Sequence, residues 1–324
     1  MKAIFRTAYG STDILTLKEI DKPVPKDNEL LIKVYAASVN PLDWHILRGV
    51  PFIVRLMGFG LLKPKHQILG ADMSGRVEAI GKNVTQFKAG DEIIGTGMGG
   101  FAEYTCISEN RAVSKPATIS FEQAATIPVA GVTALQALRE NGHLQSGQHV
   151  LINGASGGVG TFAIQIAKVL GAQVTGVCSG KNVEMVRSIG ADHVIDYTKE
   201  DFWLIGKEYD LIVDNAAFHS IRKPLSILKA TGIYVGVGGS SSFLSILQSF
   251  VFNKIIAKIM GRKVVSFMAN VNQADLLYLR ELLEAGKITP VIDRKYSLSQ
   301  TPEAIRYVEK GHARGKVVIA FDQK

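Results

Sequence analysis

Eight residues in mid-chain, Asn153-Gly154-Ala155-Ser156-Gly157-Gly158-Val159-Gly160, have the composition of a phosphate-holding loop. They follow a β-rich run, Val150-Leu151-Ile152-Asn153. They open residues 158–170, whose apolar positions Val159, Phe162, Ile166 and Val169 have helical spacing. Placed between a strand and a helix, a glycine fingerprint carries meaning. Gly154 would make the tight turn. Gly157 would let the backbone approach a pyrophosphate, and Gly160 would let helix pack on strand. The helix start adds N–H groups and the positive end of a dipole. Gly154, Ala155, Ser156, Gly157, Gly158, Val159 and Gly160 are therefore the candidate dinucleotide-binding residues. The spacing is not the commonest form, because Ala155 and Ser156 precede Gly157. An ordinary Gly-rich turn is the alternative.

The cofactor is chosen about 20 residues further on, where an NAD site usually places Asp or Glu for the ribose 2′-hydroxyl. Here that place holds Cys178-Ser179-Gly180-Lys181-Asn182, and no acid occurs between Thr161 and Val183. A carboxylate would repel a 2′-phosphate, whereas Ser179 and Lys181 would bind it. Asn182 lies in the same segment, and Tyr197, after the next strand, adds a hydroxyl. Arg187 is a weaker candidate. These residues predict NADPH. For Lys181 the competing role is that of a solvated lysine at a helix start.

These residues need elements to position them. The first third reads as strands and turns: KAIFRTA, ELLIKVYAASV, GRVEAIG and EYTCIS are short apolar or alternating runs separated by Gly, Pro, Asp and Asn. That predicts a mostly antiparallel, barrel-like β domain. The middle alternates strands with helices. After Val150–Asn153 come strands at 174–179, 193–196, 210–214, 233–237 and 263–267, with helices at 158–170 and 181–189. Such alternation predicts parallel βαβ units and a doubly wound sheet. The tail reads as a helix at 274–285, a strand at 290–292, a helix at 302–309 and a last strand at 316–321. We expect it to pack back on the first domain. The division is then 1–126, completed by 266–324, around 127–265.

Composition bounds the rest. At 324 residues, two domains are expected. Hydrophobic residues are 47% and charged residues 20%, which excludes a disordered chain. Cys106 and Cys178 exclude a disulfide framework and a four-cysteine zinc lobe. The net charge of +8 comes without a Lys/Arg block or a nucleic-acid motif, so no nucleic-acid partner is expected. The N-terminus lacks an apolar signal core, and a cytoplasmic location is expected. Residues 243–260 are very apolar but are interrupted by Lys254 and Lys258, which favours a buried helix over a membrane span.

Several motifs in order carry a family resemblance. They are Ser38-Val39-Asn40-Pro41-Leu42-Asp43-Trp44, Leu69-Gly70-Ala71-Asp72-Met73-Ser74-Gly75, Gly81-Lys82-Asn83-Val84 with Gly90-Asp91, Ala130-Gly131-Val132-Thr133-Ala134, the glycine loop, and Gly315-Lys316-Val317-Val318. The whole chain resembles the medium-chain dehydrogenase/reductase superfamily, and within it the zinc-free quinone oxidoreductase branch that includes chloroplast-envelope-type homologues. The resemblance implies an α/β protein: a GroES-like barrel plus a Rossmann domain, with the active site in the cleft between them. The zinc alcohol dehydrogenases need Cys, His and Cys where this chain has Asn40, Ala71 and Ala130. An Asn and two Ala cannot supply three metal ligands, so no zinc is expected. Oxidation of unactivated alcohols becomes correspondingly unfavourable.

What remains is hydride transfer from NADPH to an electrophilic small molecule, a quinone or an α,β-unsaturated carbonyl. The resemblance implies Asn40 beside the nicotinamide ribose and substrate, and Thr133 near the nicotinamide. It implies Gly236, Val237, Gly238 and Gly239 passing beneath the cofactor, Phe267 and Ala269 lining its pocket, and Lys316 as a further contact. Each has a structural alternative: a turn residue for Asn40, a helix-start cap for Thr133, tight packing for the glycines and a solvated strand end for Lys316. Asp43 reads as a brace for the following helix. His45 is a candidate proton donor to an enolate or hydroquinone oxygen, with water as the alternative. Residues 50–62 and 243–260 would give a greasy cleft mouth, a buried dimer or core helix, or, with Lys254, Lys258, Arg262 and Lys263, a peripheral contact with anionic lipid. The family implies a homodimer. The competing functions are an NADP-dependent alcohol or carbonyl oxidoreductase and a non-catalytic, crystallin-like NADPH-binding protein.

Overall fold

The computed structural model describes residues 1–217, 219–237 and 253–322. The chain forms two compact units. One comprises Met1–Val132, Val271–Gly286 and Pro290–Lys324; the other comprises Thr133–Asn270 and Lys287–Thr289.

The first unit is built on one long strand, β3 (Glu29–Val39), after a small antiparallel pair, β1 (Lys2–Phe5) with β2 (Thr16–Glu19). Antiparallel to β3 lie β4 (Asp72–Ile80), β6 (Tyr104–Ser108) and β15 (Lys316–Ala320). β5 (Glu92–Thr96) joins β4 to β7 (Ala112–Ser114), and β14 (Ile292–Ser297) runs parallel to β15. Two register shifts along β3 against β4, at Leu31/Ile32 and Val34/Ala36, bend the strand so that it serves several partners. Leu30, Ile32 and Val34 point into one core with Met73, Val77, Ile93 and Ile107. Ala37 and Val39 point into another with Ile46, Leu69, Phe101, Val317 and Ile319.

The helices of this unit are α1 (Pro41–Arg48), α2 (Phe121–Ala125), α8 (Gln273–Glu284) and α9 (Thr301–Glu309). α1 starts where Pro41 presets φ at the first helical position. It stops at Gly49, which is left-handed at φ 61°. In the tail, β15 pairs antiparallel with β3 of the barrel. The penultimate strand, however, covers Ile292–Ser297 rather than 290–292: its residues IDRKYS are polar and lie at the edge of the sheet, so they lack the apolar signature of a buried strand.

The second unit is a parallel sheet of β8 (His149–Asn153), β9 (Gln173–Cys178), β10 (His193–Asp196), β11 (Tyr209–Asp214), β12 (Leu228–Gly236) and β13 (Lys263–Ser266). Its order is β10-β9-β8-β11-β12-β13, the doubly wound arrangement of a Rossmann fold. The helices α4 (Gly158–Val169), α5 (Val183–Ser188), α6 (Arg222–Ser226) and α7 (Asn253–Ile259) connect the strands, and α3 (Pro128–Gln136) contains the division between units. Leu151, Val177, Ile212, Leu228 and Tyr234 belong to a buried core of this sheet.

Of the apolar stretch at 50–62, Phe52, Leu56, Leu61 and Leu62 are exposed, while Val54 and Phe59 pack on the core. Most of 243–260 lies outside the described residues. Among the described residues no helix is long and apolar enough to cross a membrane.

Candidate functional site

The order of the second sheet reverses between β8 and β11, and its strand ends are in register there. Asn153 pairs with Val177 on one side and Asp214 on the other, and Asp214 pairs with Gly236, which pairs with Ser266. In open α/β sheets ligands bind beyond the carboxyl ends of the strands at such a switch point. The glycine loop leaves β8 at that level.

Each loop glycine has its own reason. Gly154 is left-handed at φ 72°. A Cβ on Gly160 would lie 2.2 Å from the Gly154 carbonyl oxygen and 2.8 Å from Ala155 backbone atoms, so only glycine fits. A Cβ on Gly157 would meet nothing nearer than that same oxygen at 3.4 Å, which leaves room for an approaching group. Ala155 is buried; Ser156, Gly157, Gly158 and Val159 are half-buried at the start of α4. The first N–H groups of a helix have no partner within it. A cradle of backbone donors with no side chain over it fits a pyrophosphate.

The second group of predicted residues gathers at the ends of β9 and β10. Asn182 Nδ2 donates to Ser156 Oγ at 3.0 Å and to Ser179 Oγ at 3.1 Å, linking the two segments. Its buried Oδ1 has no hydrogen-bond partner among the described residues, as expected of an acceptor kept for a ligand hydroxyl or amine. Lys181 is exposed. Tyr197 is 54% exposed, and its N–H donates to the Cys178 carbonyl at 3.1 Å. An acid also stands here. A Cβ on Gly180 would lie 2.6 Å from Asp196 Oδ2. Asp196 Oδ1 accepts from the Thr198 hydroxyl at 2.7 Å, which holds this carboxyl below its ordinary range, and Lys199 Nζ lies 3.8 Å from Oδ2. A search for an acid along β9 alone misses it, because it arrives on the neighbouring strand.

Gly236 ends β12. Among the described residues a Cβ there would meet nothing nearer than 3.6 Å, so their packing does not demand glycine. Val237 is buried, and its N–H donates to the Asp214 carbonyl at 2.9 Å. Gly238 and Gly239 lie outside the described residues. Phe267 and Ala269 are half-buried just after β13. Thr133 lies inside α3 and is buried, so it is not a helix-start cap.

The first unit holds a buried polar cluster around Asn40. Asn40 Nδ2 donates to Asp72 Oδ2 at 2.8 Å, and Lys316 Nζ donates to Asn40 Oδ1. Lys316 Nζ also lies 3.6 Å from Asp72 Oδ2 and 3.5 Å from the Val39 carbonyl. Ser38 Oγ and the Val129 N–H donate to Asp72, each at 3.0 Å. Asp43 accepts from the N–H of Asn40 at 2.8 Å and of Gly70 at 3.2 Å, bracing the start of α1. Lys316 is only 3% exposed, so it is not a solvated strand end; its ammonium is engaged by Asn40 and Asp72. Burial pushes Asp43 up to about 7 and raises Asp72, and it lowers Lys316. The sequence reading assigned no role to Asp72 or Ser38.

His45 Nδ1 lies 2.8 Å from the Val50 carbonyl, so Nδ1 carries the proton, and the ring stacks on Trp44 with centroids 3.6 Å apart. Burial lowers its pKa. The neutral ring therefore has its one N–H engaged and presents only a lone pair at Nε2.

Comparison with known proteins decides the family. Residues 26–117 match the profile of the alcohol dehydrogenase GroES-like domain, and residues 189–319 match that of zinc-binding dehydrogenases. The chain is 34% identical to the chloroplastic quinone-oxidoreductase QR1 of Triphysaria versicolor, covering 98% of each. It is 35% identical to a mitochondrial NAD(P)H oxidoreductase of Bos taurus, over 96% of this chain and 87% of the relative. The solved quinone oxidoreductase of Coxiella burnetii superposes with a TM-score of 0.87 at 33% identity, covering 100% of this chain and 99% of the other. The chain belongs to the medium-chain dehydrogenase/reductase superfamily. As a member it is an oxidoreductase with a nicotinamide cofactor and a small-molecule substrate. One profile's description includes zinc. Among the described residues no group of three His, Cys, Asp or Glu side chains could hold a metal ion.

Proposed function

We propose that the chain is a zinc-independent, NADPH-dependent reductase that delivers hydride to a quinone or to an α,β-unsaturated carbonyl. The observation that carries this reading is the engagement of the Asn40 amide by Lys316 and Asp72. By the resemblance, Asn40 stands where a metal-dependent dehydrogenase needs a ligand, and its amide is engaged by an ammonium ion and a carboxylate instead, which supports an acceptor that arrives already electrophilic. When bound, the nicotinamide supplies the hydride, and a proton from water completes the two-electron reduction. The chain's own residues bind and orient. The first-turn N–H groups of α4 hold the pyrophosphate. Ser179, Lys181 and Tyr197 hold the 2′-phosphate. Gly236 keeps the end of β12 clear of side chains. His45, neutral with its N–H on Val50, leaves protonation to solvent.

A second reading, NADH in place of NADPH, is favoured by the Asp196 carboxylate beside Gly180. Titration of both reduced cofactors by fluorescence separates the two. A Kd for NADPH at least about tenfold below that for NADH is expected, equivalent to about 1.4 kcal/mol. Equal affinities, or tighter NADH, overturn the NADPH assignment.

A further inference from the structure

One side chain sits immediately before the glycine loop and is held from behind. Asn153, Asp214 and Tyr234 are 4%, 1% and 4% exposed. Asn153 closes β8 in register with Asp214, which closes β11. Asn153 Nδ2 donates to Asp214 Oδ1 at 2.8 Å and to the Ala216 carbonyl at 3.2 Å. The Ala216 N–H donates to the same carboxylate oxygen at 3.0 Å, and the Tyr234 hydroxyl donates to Oδ2 at 2.8 Å. Burial, with the Asp214 charge adding to it, pushes the Tyr234 phenol up, so the hydroxyl stays a donor.

A carboxylate accepts and cannot donate. Asp214 therefore dictates which end of the Asn153 amide faces it. The amide oxygen is left pointing at the Gly154 N–H, which donates to it at 3.0 Å. That bond supports Gly154 in its left-handed conformation. The Gly154 carbonyl in turn accepts from the Gly157 N–H at 3.1 Å and lies against Gly160. A continuous chain of hydrogen bonds thus runs from the Tyr234 hydroxyl to the turn that shapes the loop.

We propose that Asp214 and Tyr234 are positioning residues for the dinucleotide loop and act through the amide orientation of Asn153. The inference rests on the proposed dinucleotide reading for its ligand only; the effect on the loop is independent of it.

The test is Asn153→Asp, which sets two carboxyl groups face to face, so that one proton is held between them at the acid end and lost at the alkaline end. The wild-type segment 153–160, followed by amide hydrogen exchange corrected for intrinsic rates, should show no pH dependence between about pH 5.5 and about 8.5. In Asn153→Asp the same segment should be protected at the acid end and exchange about tenfold faster at the alkaline end. The Kd for NADPH should rise about tenfold over the same range. Asp214→Leu should lose protection and affinity about tenfold, and Tyr234→Phe, which keeps the ring in place, about threefold. A pH-independent Asn153→Asp with wild-type protection overturns the proposal. So does a folded Tyr234→Phe or Asp214→Leu with an unchanged loop. If the exchange data behave as expected but the wild type binds neither NADPH nor NADH, the positioning role stands and the dinucleotide reading fails.

Discussion

Lys316, the first residue of β15, donates a hydrogen bond to the side-chain carbonyl of Asn40, which lies 276 positions earlier and starts α1. The two meet because Val317 and Val39 are register partners in the barrel. With Asp72 they form a buried set in which the one ammonium is the counter-charge of the carboxylate it touches.

Removing that ammonium should be costly. Lys316→Met leaves Asp72 buried without its counter-charge, which typically destabilises by about 3–5 kcal/mol. Urea unfolding should show that loss, and Lys316→Met/Asp72→Asn should recover most of it. Equal stability of the single variant and wild type would mean that Asp72 holds a proton in the native state.

Asp43 gives the fold a pH dependence of defined sign. Burial places its folded pKa at about 7, above the ordinary 3.8. Between these values the folded state keeps a proton that the unfolded chain releases, so rising pH favours unfolding. The Asp43 contribution to stability should be greatest below about pH 4, fall by about 1.4 kcal/mol per pH unit at most up to about pH 7, and then level off. Asp72 is also raised and adds in the same sense. Asp43→Asn should flatten the profile. It should also lower stability by about 1–3 kcal/mol, because an amide N–H would face a backbone donor.

Two glycines should separate packing from ligand clearance. Gly160→Ala forces a Cβ to within 2.2 Å of the Gly154 oxygen, so the loop must shift and both stability and cofactor affinity should fall. Gly236→Ala meets no atom of the described residues nearer than 3.6 Å and should melt like wild type. Its NADPH affinity should nonetheless drop about tenfold if the cofactor passes over this strand end. An unchanged Kd would remove Gly236 from the binding site.

Cofactor choice should follow charge. Lys181→Ala should weaken NADPH binding by about 1–3 kcal/mol, the value of a charge-assisted hydrogen bond, and leave NADH unaffected. Asp196→Asn should leave NADPH no weaker. Titration of both cofactors against each variant checks this, and parallel losses for NADH and NADPH would assign Lys181 elsewhere.

His45→Ala should change turnover by less than about threefold, since the N–H it would donate is already bonded to Val50. A loss of about a hundredfold with unchanged NADPH affinity would restore it as the acid.

Local pattern carried much of this protein. The run ELLIKVYAASV marks β3 because one strand supplies two cores, and HVID marks β10 because its apolar pair is bounded by polar residues. The glycine loop was legible from its strand–helix setting, although its spacing is not the commonest form. Strands with exposed side chains were not legible, as β2 with its TLKE sequence shows. Nor were partnerships that only the fold creates. Nothing local links Lys316 to Asn40, or Tyr234 to Asn153. The one available signal was that Asn153, Asp214 and Gly236 each end a strand of one parallel sheet, which puts a polar side chain at each of two neighbouring ends. Asp196 shows the same limit, since an acid can reach the cofactor-choosing corner from the strand next door.

The central claim is metal-free hydride delivery to a conjugated acceptor. It is tested most directly with NADPH deuterated at the transferring position, a long-chain 2-enal and its saturated aldehyde, with and without a chelator. The account predicts deuterium at C3 of the reduced enal, no turnover of the saturated aldehyde and no effect of the chelator. Deuterium at the carbonyl carbon, or activity lost to the chelator, would contradict it.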